Sequence, residues 1–164
     1  MQKTFQLSTL LSHQAKKYGK RAALYYREAL SKKWLPGSWN ELCQKVETLA
    51  GALIQSNVKS EEKVGIFAPN MPEAIMADFA NYAVHAVSVP MYATSTKSQI
   101  EFIVDDSEIG VIFAGEQYQY DIACKVLETS KNLHTVVAMS PSVDLRGIKG
   151  GISWKDYMEQ GEMH

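Results

Sequence analysis

Along the first third of the chain apolar residues recur at helical spacing; beyond it they gather into short unbroken runs. Leu7, Leu10, Leu11, Gln14, Ala15 and Tyr18 line one side of a first amphipathic helix, which Gly19 is placed to end. Ala22 to Arg27 and Lys33 to Pro36 are short β candidates, joined across Glu28-Ala-Leu-Ser-Lys32 as an antiparallel hairpin with a loose loop. Ser38-Trp-Asn-Glu41 reads as a capping box, in which the Ser hydroxyl serves the third helical amide and Glu41 reaches back to the cap amide. The helix it opens carries Leu42, Val46, Leu49, Ala50 and Leu53 on one apolar face and breaks at Ser56-Asn57.

From Val64 a strand-and-helix rhythm sets in. Strand starts near Val64, Val87, Val111 and Thr135 are separated by 23, 24 and 24 residues. The order is Val64 to Ala68, the turn Pro69-Asn-Met-Pro72, an apolar helix from Glu73 to Val84, Ala86 to Tyr92, and Gly110 to Ala114. The strands are continuous apolar runs, as expected where helices cover both faces of a parallel sheet. Thr96-Lys-Ser-Gln99 forms a second capping box ahead of Ile100, Ile103 and Val104, and Ile122, Val126 and Leu127 mark the following helix. Intervening segments differ from one another, which excludes a solenoid. After Met139 the pattern decays: Ser140 to Asp144 and Arg146 to Gly151 read as surface loop, and Ser153 to Glu159 as a short terminal helix. The expected fold is α/β, a wound, mainly parallel sheet with helices on both faces, preceded by an N-terminal helix and a short hairpin. Residues 1–164 read as a single domain.

Composition supports this and narrows the chemistry. With 164 residues, 46% hydrophobic and 21% charged, the chain is an ordinary globular one. At this length roughly two-thirds of the unfolded surface can be buried. The net charge is −1, and Lys and Arg read as interspersed with Asp and Glu, so no electrostatic footprint for nucleic acid or an anionic membrane is expected. No run is long and apolar enough to span a bilayer. Met1 to Arg21 lacks the apolar core of a secretory signal, and a reducing cytoplasm is the expected compartment. Cys43 and Cys124 fall in separate helical patterns and read as buried thiols.

Candidate chemistry is sparse. His13, His85, His134 and His164 show no metal-ligand spacing. Asp105 and Asp106 are adjacent at a helix end and point apart, and Asp78 is expected at the rim of its helix or paired with a neighbouring Lys or Tyr. Gly147-Ile-Lys-Gly-Gly151 fails the phosphate-loop pattern, because the glycines are misplaced and no hydroxyl follows Lys149. No Gly-x-Ser-x-Gly elbow is present. The turns Pro69 to Pro72, Pro90 to Thr94 and Gly115 to Gln117 lie where open α/β sheets bind ligands. No catalytic, cofactor-binding or metal residue is assigned in this chain.

Read in order, Ser38-Trp-Asn-Glu-Leu42, Leu49-Ala-Gly-Ala-Leu53, Glu62-Lys-Val-Gly-Ile-Phe-Ala-Pro-Asn-Met-Pro-Glu73, Val87-Ser-Val-Pro-Met-Tyr-Ala-Thr94 and Asp105-Asp-Ser-Glu108 resemble the N-terminal portion of the acyl-adenylate-forming superfamily, the AMP-forming acyl-CoA synthetases. The Val-Pro-Met-Tyr-Ala-Thr segment and the run from Ser107 to Phe113 look most like long-chain fatty acid–CoA ligases. The resemblance covers about Phe5 to Tyr157. It departs at His85, where the family usually has Gly, and at Lys59-Ser-Glu-Glu62, which replaces a customary Gly-Asp; a larger side chain at His85 is expected to need room in the packing.

The resemblance implies a parent enzyme that forms acyl-AMP from a fatty acid and ATP with Mg2+, and then a thioester with CoA. The family's Ser/Thr- and Gly-rich phosphate loop, its aromatic-Gly-x-Thr-Glu segment, its ribose-binding Asp and its catalytic Lys are not found here. Accordingly the chain is expected to be an N-terminal subdomain that is inactive alone, with the remainder of the parent enzyme as its partner. Apolar surface left uncovered would make it self-associate, and the parent is expected in the cytoplasm or peripheral to a membrane. Two rivals stand beside this: a free-standing, non-enzymatic α/β binding or interaction module, and a flavodoxin-like nucleotide-binding domain, which the lack of a Gly-rich first turn disfavours.

Overall fold

The computed structural model describes residues 6–28 and 31–162. Phe5, Ala29 and Leu30 of the expected hairpin loop, and His164 lie outside the described residues. The elements run α1 (Leu7–Tyr18), β1 (Ala22–Arg27), β2 (Trp34–Ser38), α2 (Trp39–Gln55), β3 (Lys63–Phe67), α3 (Pro72–Ala83), β4 (Val87–Met91), α4 (Lys97–Ser107), β5 (Val111–Ala114), α5 (Gln117–Leu127), β6 (Thr135–Ala138), β7 (Gly151–Ser153) and α6 (Trp154–Gly161). The fold class is the one expected from the sequence: β1 and β2 form a small antiparallel sheet, and β4-β3-β5-β6-β7 form a parallel one.

Strand burial explains why the runs are unbroken. Val64 and Ile66 of β3, Val111 and Phe113 of β5, and Val137 of β6 face a core shared with α1, α2, α3 and α6. Phe67, Ile112, Ala114, Val136 and Ala138 face the opposite core, under α4 and α5. Both faces of the central strands are dry, so neither parity of position can be polar. Helix α2 inserts Leu42, Val46, Leu49 and Leu53 into the first core. Each Leu buried in this way stabilises the fold by roughly 1.5–3 kcal/mol.

Both expected capping boxes are present. The Ser38 amide donates to Glu41 Oε2 at 2.8 Å and the Glu41 amide to Ser38 Oγ at 3.2 Å. The Thr96 amide likewise donates to Gln99 Oε1 at 2.9 Å. The chain after Met139, however, is more than surface loop. Gly151–Ser153 adds a fifth parallel strand beside β6, anchored where the Val136 amide donates to the Gly150 carbonyl at 2.8 Å. A three-residue edge strand entered through two glycines carries no apolar run, which is why periodicity misses it. Its neighbourhood is tight: a Cβ on Gly151 would lie 2.1 Å from the Tyr120 hydroxyl.

His85 also has a different explanation from the expected one. Its side chain is exposed and needs no room in the core; its backbone is left-handed, with φ of 62°, directly after α3. Glycine suits that position because of the backbone. Cys43 and Cys124 are buried as expected, and burial pushes the Cys43 thiol up to about 11, helped by its hydrogen bond to Glu47. Among the described residues no helix is long and apolar enough to cross a membrane.

Candidate functional site

Strand order puts the switch point of the sheet between β3 and β5. The chain leaves β3 for β4 on one side, then returns across β3 to place β5 on the other. Ligands of open α/β sheets sit outside the carboxyl ends of the strands at such a point. The three turns singled out in the sequence converge there.

The crevice itself is filled. The Gly115 amide donates to the Phe67 carbonyl at 2.9 Å, and a Cβ on Gly115 would lie 2.6 Å from Pro69 Cδ and 3.1 Å from Ala68 Cα. The turn after β3 therefore lies directly on Gly115. The amides of Met139 and Ser140 donate to the carbonyls of Ala114 and Gly115, and the Glu116 amide donates to Gln119 Oε1 at 2.9 Å. A phosphate cradle needs amides aimed at a ligand; these four are engaged within the chain.

Two carboxylates flank the filled crevice, Glu73 in the first turn of α3 and Glu116 at the N-cap of α5. Burial pushes the Glu73 carboxyl above the ordinary range, and the charge of Glu116 adds to the effect, against the pull of its own backbone amide and of Lys45. Sequence reasoning named neither as a pair, because only the topology brings residues 43 positions apart to one rim. Such a pair can retain a proton or attract a cation, yet neither a nucleophile nor a ligand set accompanies it. Among the described residues there is no group of three or more His, Cys, Asp or Glu that could hold a metal ion.

The remaining side chains of this end are apolar, hydroxylic or amide. Tyr92, Ser95, Ser98, Gln99, Phe102 and Ile103 line an open groove of about 340 Å3 between the β4 turn and α4. Tyr92 is 87% exposed and Phe102 68% exposed. Beneath it the Tyr118 hydroxyl donates to the Ser95 carbonyl at 3.3 Å and Gln119 Nε2 to the Ala93 carbonyl at 2.7 Å, which hold the turn to α5. A larger cavity, about 510 Å3, lies at the amino ends of β3 and β5 and is lined by Glu61, Glu62, Lys63, Glu108, Lys131 and His134 among others. It is at the wrong end of the sheet for the ligand position of this architecture, so the carboxyl-end groove is the better candidate.

The other sequence candidates are dispersed. Asp105 and Asp106 are exposed, and Asp78 lies beside Tyr82, whose phenol is pushed up by burial and by that carboxylate. The Gly147 to Gly151 segment is a turn in which the Gly151 amide donates to the Ile148 carbonyl at 2.9 Å, and residues 144–146 ahead of it are fastened to α5: Tyr120 donates to the Leu145 carbonyl, Gln117 exchanges hydrogen bonds with Asp144, and Arg146 pairs with Asp121 at 3.3 Å.

Comparison with known proteins gives this geometry a context. The profile of the AMP-binding enzymes matches residues 11–156. The chain is 31% identical over 129 residues to long-chain-fatty-acid–CoA ligase 6 of Mus musculus, covering 74% of this chain and 18% of that protein. It is 34% identical over 80 residues to fatty acyl-CoA synthetase A of Dictyostelium discoideum, covering 49% and 12%. Among solved structures, the anthranilate CoA ligase AuaEII in complex with anthranoyl-AMP superposes with a TM-score of 0.82 at 14% identity, over 97% of this chain and 29% of that one. That likeness establishes the fold. The chain thus spans less than a fifth of the length of the fatty acid ligases it matches.

Proposed function

The chain belongs to the AMP-binding enzyme family, and from that premise we propose that it forms the opening, N-terminal lobe of a long-chain fatty acid–CoA ligase. The observation that carries this reading is the pattern of coverage. Relatives named as long-chain fatty acid–CoA ligases match most of this chain with only 18% of their own length, and 97% of it superposes on 29% of a CoA ligase.

The parent reaction on this reading has two steps. The fatty carboxylate attacks the α-phosphorus of ATP, giving acyl-AMP and pyrophosphate; the CoA thiol then attacks the acyl carbonyl and AMP leaves. Mg2+ would stabilise the developing phosphoryl charge. The role of this lobe is structural. It supplies a rigid sheet whose carboxyl-end crevice is closed by Pro69 on Gly115, and an apolar groove at Tyr92 and Phe102 that serves as a wall for the acyl site or for the remainder of the enzyme.

ATP–pyrophosphate exchange with a long-chain fatty acid tests this. The 164-residue chain alone is expected to give no exchange above background, while the polypeptide read from the gene beyond the codon for His164 is expected to exchange and to form acyl-CoA. Robust exchange by the chain alone would overturn the scaffold role. A stop codon there would overturn the ligase reading and leave the free-standing interaction module.

A further inference from the structure

The larger cavity, about 510 Å3, opens at the amino ends of β3 and β5 and has the volume of a small-molecule site. Glu61, Glu62 and Glu108 border it together with Lys63 and Lys131. All five are exposed, and none enters the ion pairs formed among the described residues. Opposite charges therefore share one cavity without neutralising each other. Glu62 is engaged locally, its Oε2 accepting from the Lys59 amide at 2.9 Å. That leaves Glu61 and Glu108 as the carboxylates open to a ligand.

The backbone singles out the same two residues. Glu61 has φ of 69° and Glu108 φ of 56°, the left-handed region where glycine is the unstrained residue. The Glu61 amide donates to the His85 carbonyl at 2.8 Å, which fixes its turn, and Glu108 closes α4 as its C-cap. At both positions a carboxylate stands where the backbone favours no side chain.

An unsatisfied hydroxyl lies behind the same wall. Ser56, the C-cap of α2, lines the cavity. Next to it is the hydroxyl of Tyr157, a residue only 1% exposed, without a hydrogen-bond partner among the described residues. Ser56 is close enough to oppose the rise that burial gives this phenol. Buried hydroxyls are normally partnered, and a polar group entering beside Ser56 would complete this one.

The balance of charge selects the ligand. Three carboxylates against two ammonium groups give the lining a net −1, counting His134 as neutral. The carboxyl ends of α2 and α4 add partial negative charge. A phosphate or a dicarboxylate is repelled by this balance, and a simple diamine would leave Lys63 and Lys131 uncompensated. A molecule with two positive charges and one negative matches both sets.

We infer that this cavity binds a basic amino acid of the ornithine and lysine class, with its ammonium groups on Glu61 and Glu108 and its carboxylate on Lys63 and Lys131. The site lies at the opposite end of the sheet from the filled crevice, so it stands whether or not the chain is part of a ligase.

Amide NMR of the 164-residue chain titrated with L-ornithine tests it. Saturable shifts are expected in 56–64, 108–111 and 131–134. Putrescine lacks the carboxylate and L-norvaline the side-chain ammonium; each should bind about tenfold more weakly, for the loss of one charge-assisted contact. Lys63→Gln/Lys131→Gln should reduce ornithine to the affinity of putrescine and leave putrescine no weaker, whereas Glu61→Gln/Glu108→Gln should weaken both. Lys125→Gln/Lys155→Gln, with the same change in charge on α5 and α6, should bind ornithine as the unaltered chain does. The substituted residues are exposed, and unchanged far-UV circular dichroism would verify their folding. No saturable shift with ornithine, putrescine bound as tightly as ornithine, or equal losses in the two lysine variants would overturn the proposal.

Discussion

The Gln119 side chain donates through Nε2 to the carbonyl of Ala93 at 2.7 Å, joining α5 to the turn after β4 across 26 residues of sequence. Its other end accepts from the Glu116 amide at 2.9 Å and closes a capping box. One buried amide therefore caps a helix and fixes the loop that forms the candidate groove. Replacing it with Ala would leave the Ala93 carbonyl and the Glu116 amide without these partners, at a cost of about 1–3 kcal/mol. Gln119→Ala should lower the urea midpoint accordingly, and amide exchange in 92–95 should speed up more than in α2. Equal protection in that turn would show that Gln119 does not hold it.

Helices α2 and α6 cross in close contact at Gly161. A Cβ on Gly161 would lie 2.0 Å from the Thr48 carbonyl oxygen and 2.8 Å from the Ala52 nitrogen, both backbone atoms that cannot swing aside. Gly161→Ala should destabilise by about 1–3 kcal/mol, and near-UV circular dichroism should change because Trp154 and Tyr157 on α6 pack against Phe113. An unaltered melting temperature and spectrum would mean that the end of α6 does not bear on α2.

His85 adopts φ of 62° after α3 and Glu108 φ of 56° after α4. Each is a non-glycine residue in the conformation that costs an L-residue roughly 1–2 kcal/mol. His85→Gly is therefore expected to raise stability by about 1 kcal/mol, offset in part by the greater freedom of glycine in the unfolded chain. Denaturant titration measures this directly, and a destabilised variant would show that the His85 side chain contributes more than its backbone costs.

These positions show where sequence and structure part. The boxes at Ser38 and Thr96 were legible because both partners lie within four residues. The parallel core was legible because Val64–Phe67 and Val111–Ala114 are buried on both faces and cannot alternate. Strand β7 was not, since three half-buried residues carry no periodic signal and its pairing depends on Val136. Gln119 reads as an ordinary helix residue until β4 is placed beside it. The Glu73 and Glu116 rim exists only once strand order is known. The division of charge, a net +7 ahead of Trp34 and a net −8 from there on, is by contrast present in the sequence; it was obscured by its small sum and corrects the even interspersion read there.

Glu73 at the rim gives a pH dependence whose sign follows from burial. Glu73 has a folded-state pKa raised above its unfolded value, chiefly by desolvation. The folded chain then binds this proton more tightly, so Glu73 costs stability progressively as pH rises from its unfolded value through its folded one. Glu73→Gln removes that cost. The stability difference between Glu73→Gln and the unaltered chain should be small near pH 4 and grow in favour of the variant towards neutrality, as read from urea midpoints. A difference that stays flat with pH would show that Glu73 is solvated when folded.

The exposed aromatics of the groove lead to the last expectation. Tyr92, Phe102 and Tyr118 are each at least half exposed, and all three border the turn that Gln119 anchors. Contiguous apolar surface of this kind marks a contact with another surface. If the remainder of a ligase normally covers it, the isolated chain should associate through it, and light scattering over a concentration series should show a rising mean mass. Phe102→Ser/Tyr92→Ser should abolish the rise while the fold is kept, because neither side chain is buried. The hairpin variant Trp34→Ala serves as the contrast and should leave the association unchanged, because Trp34 is exposed on β2 and does not line the groove. A mass that stays monomeric at every concentration would remove the groove as a covered interface and favour a chain evolved to stand alone.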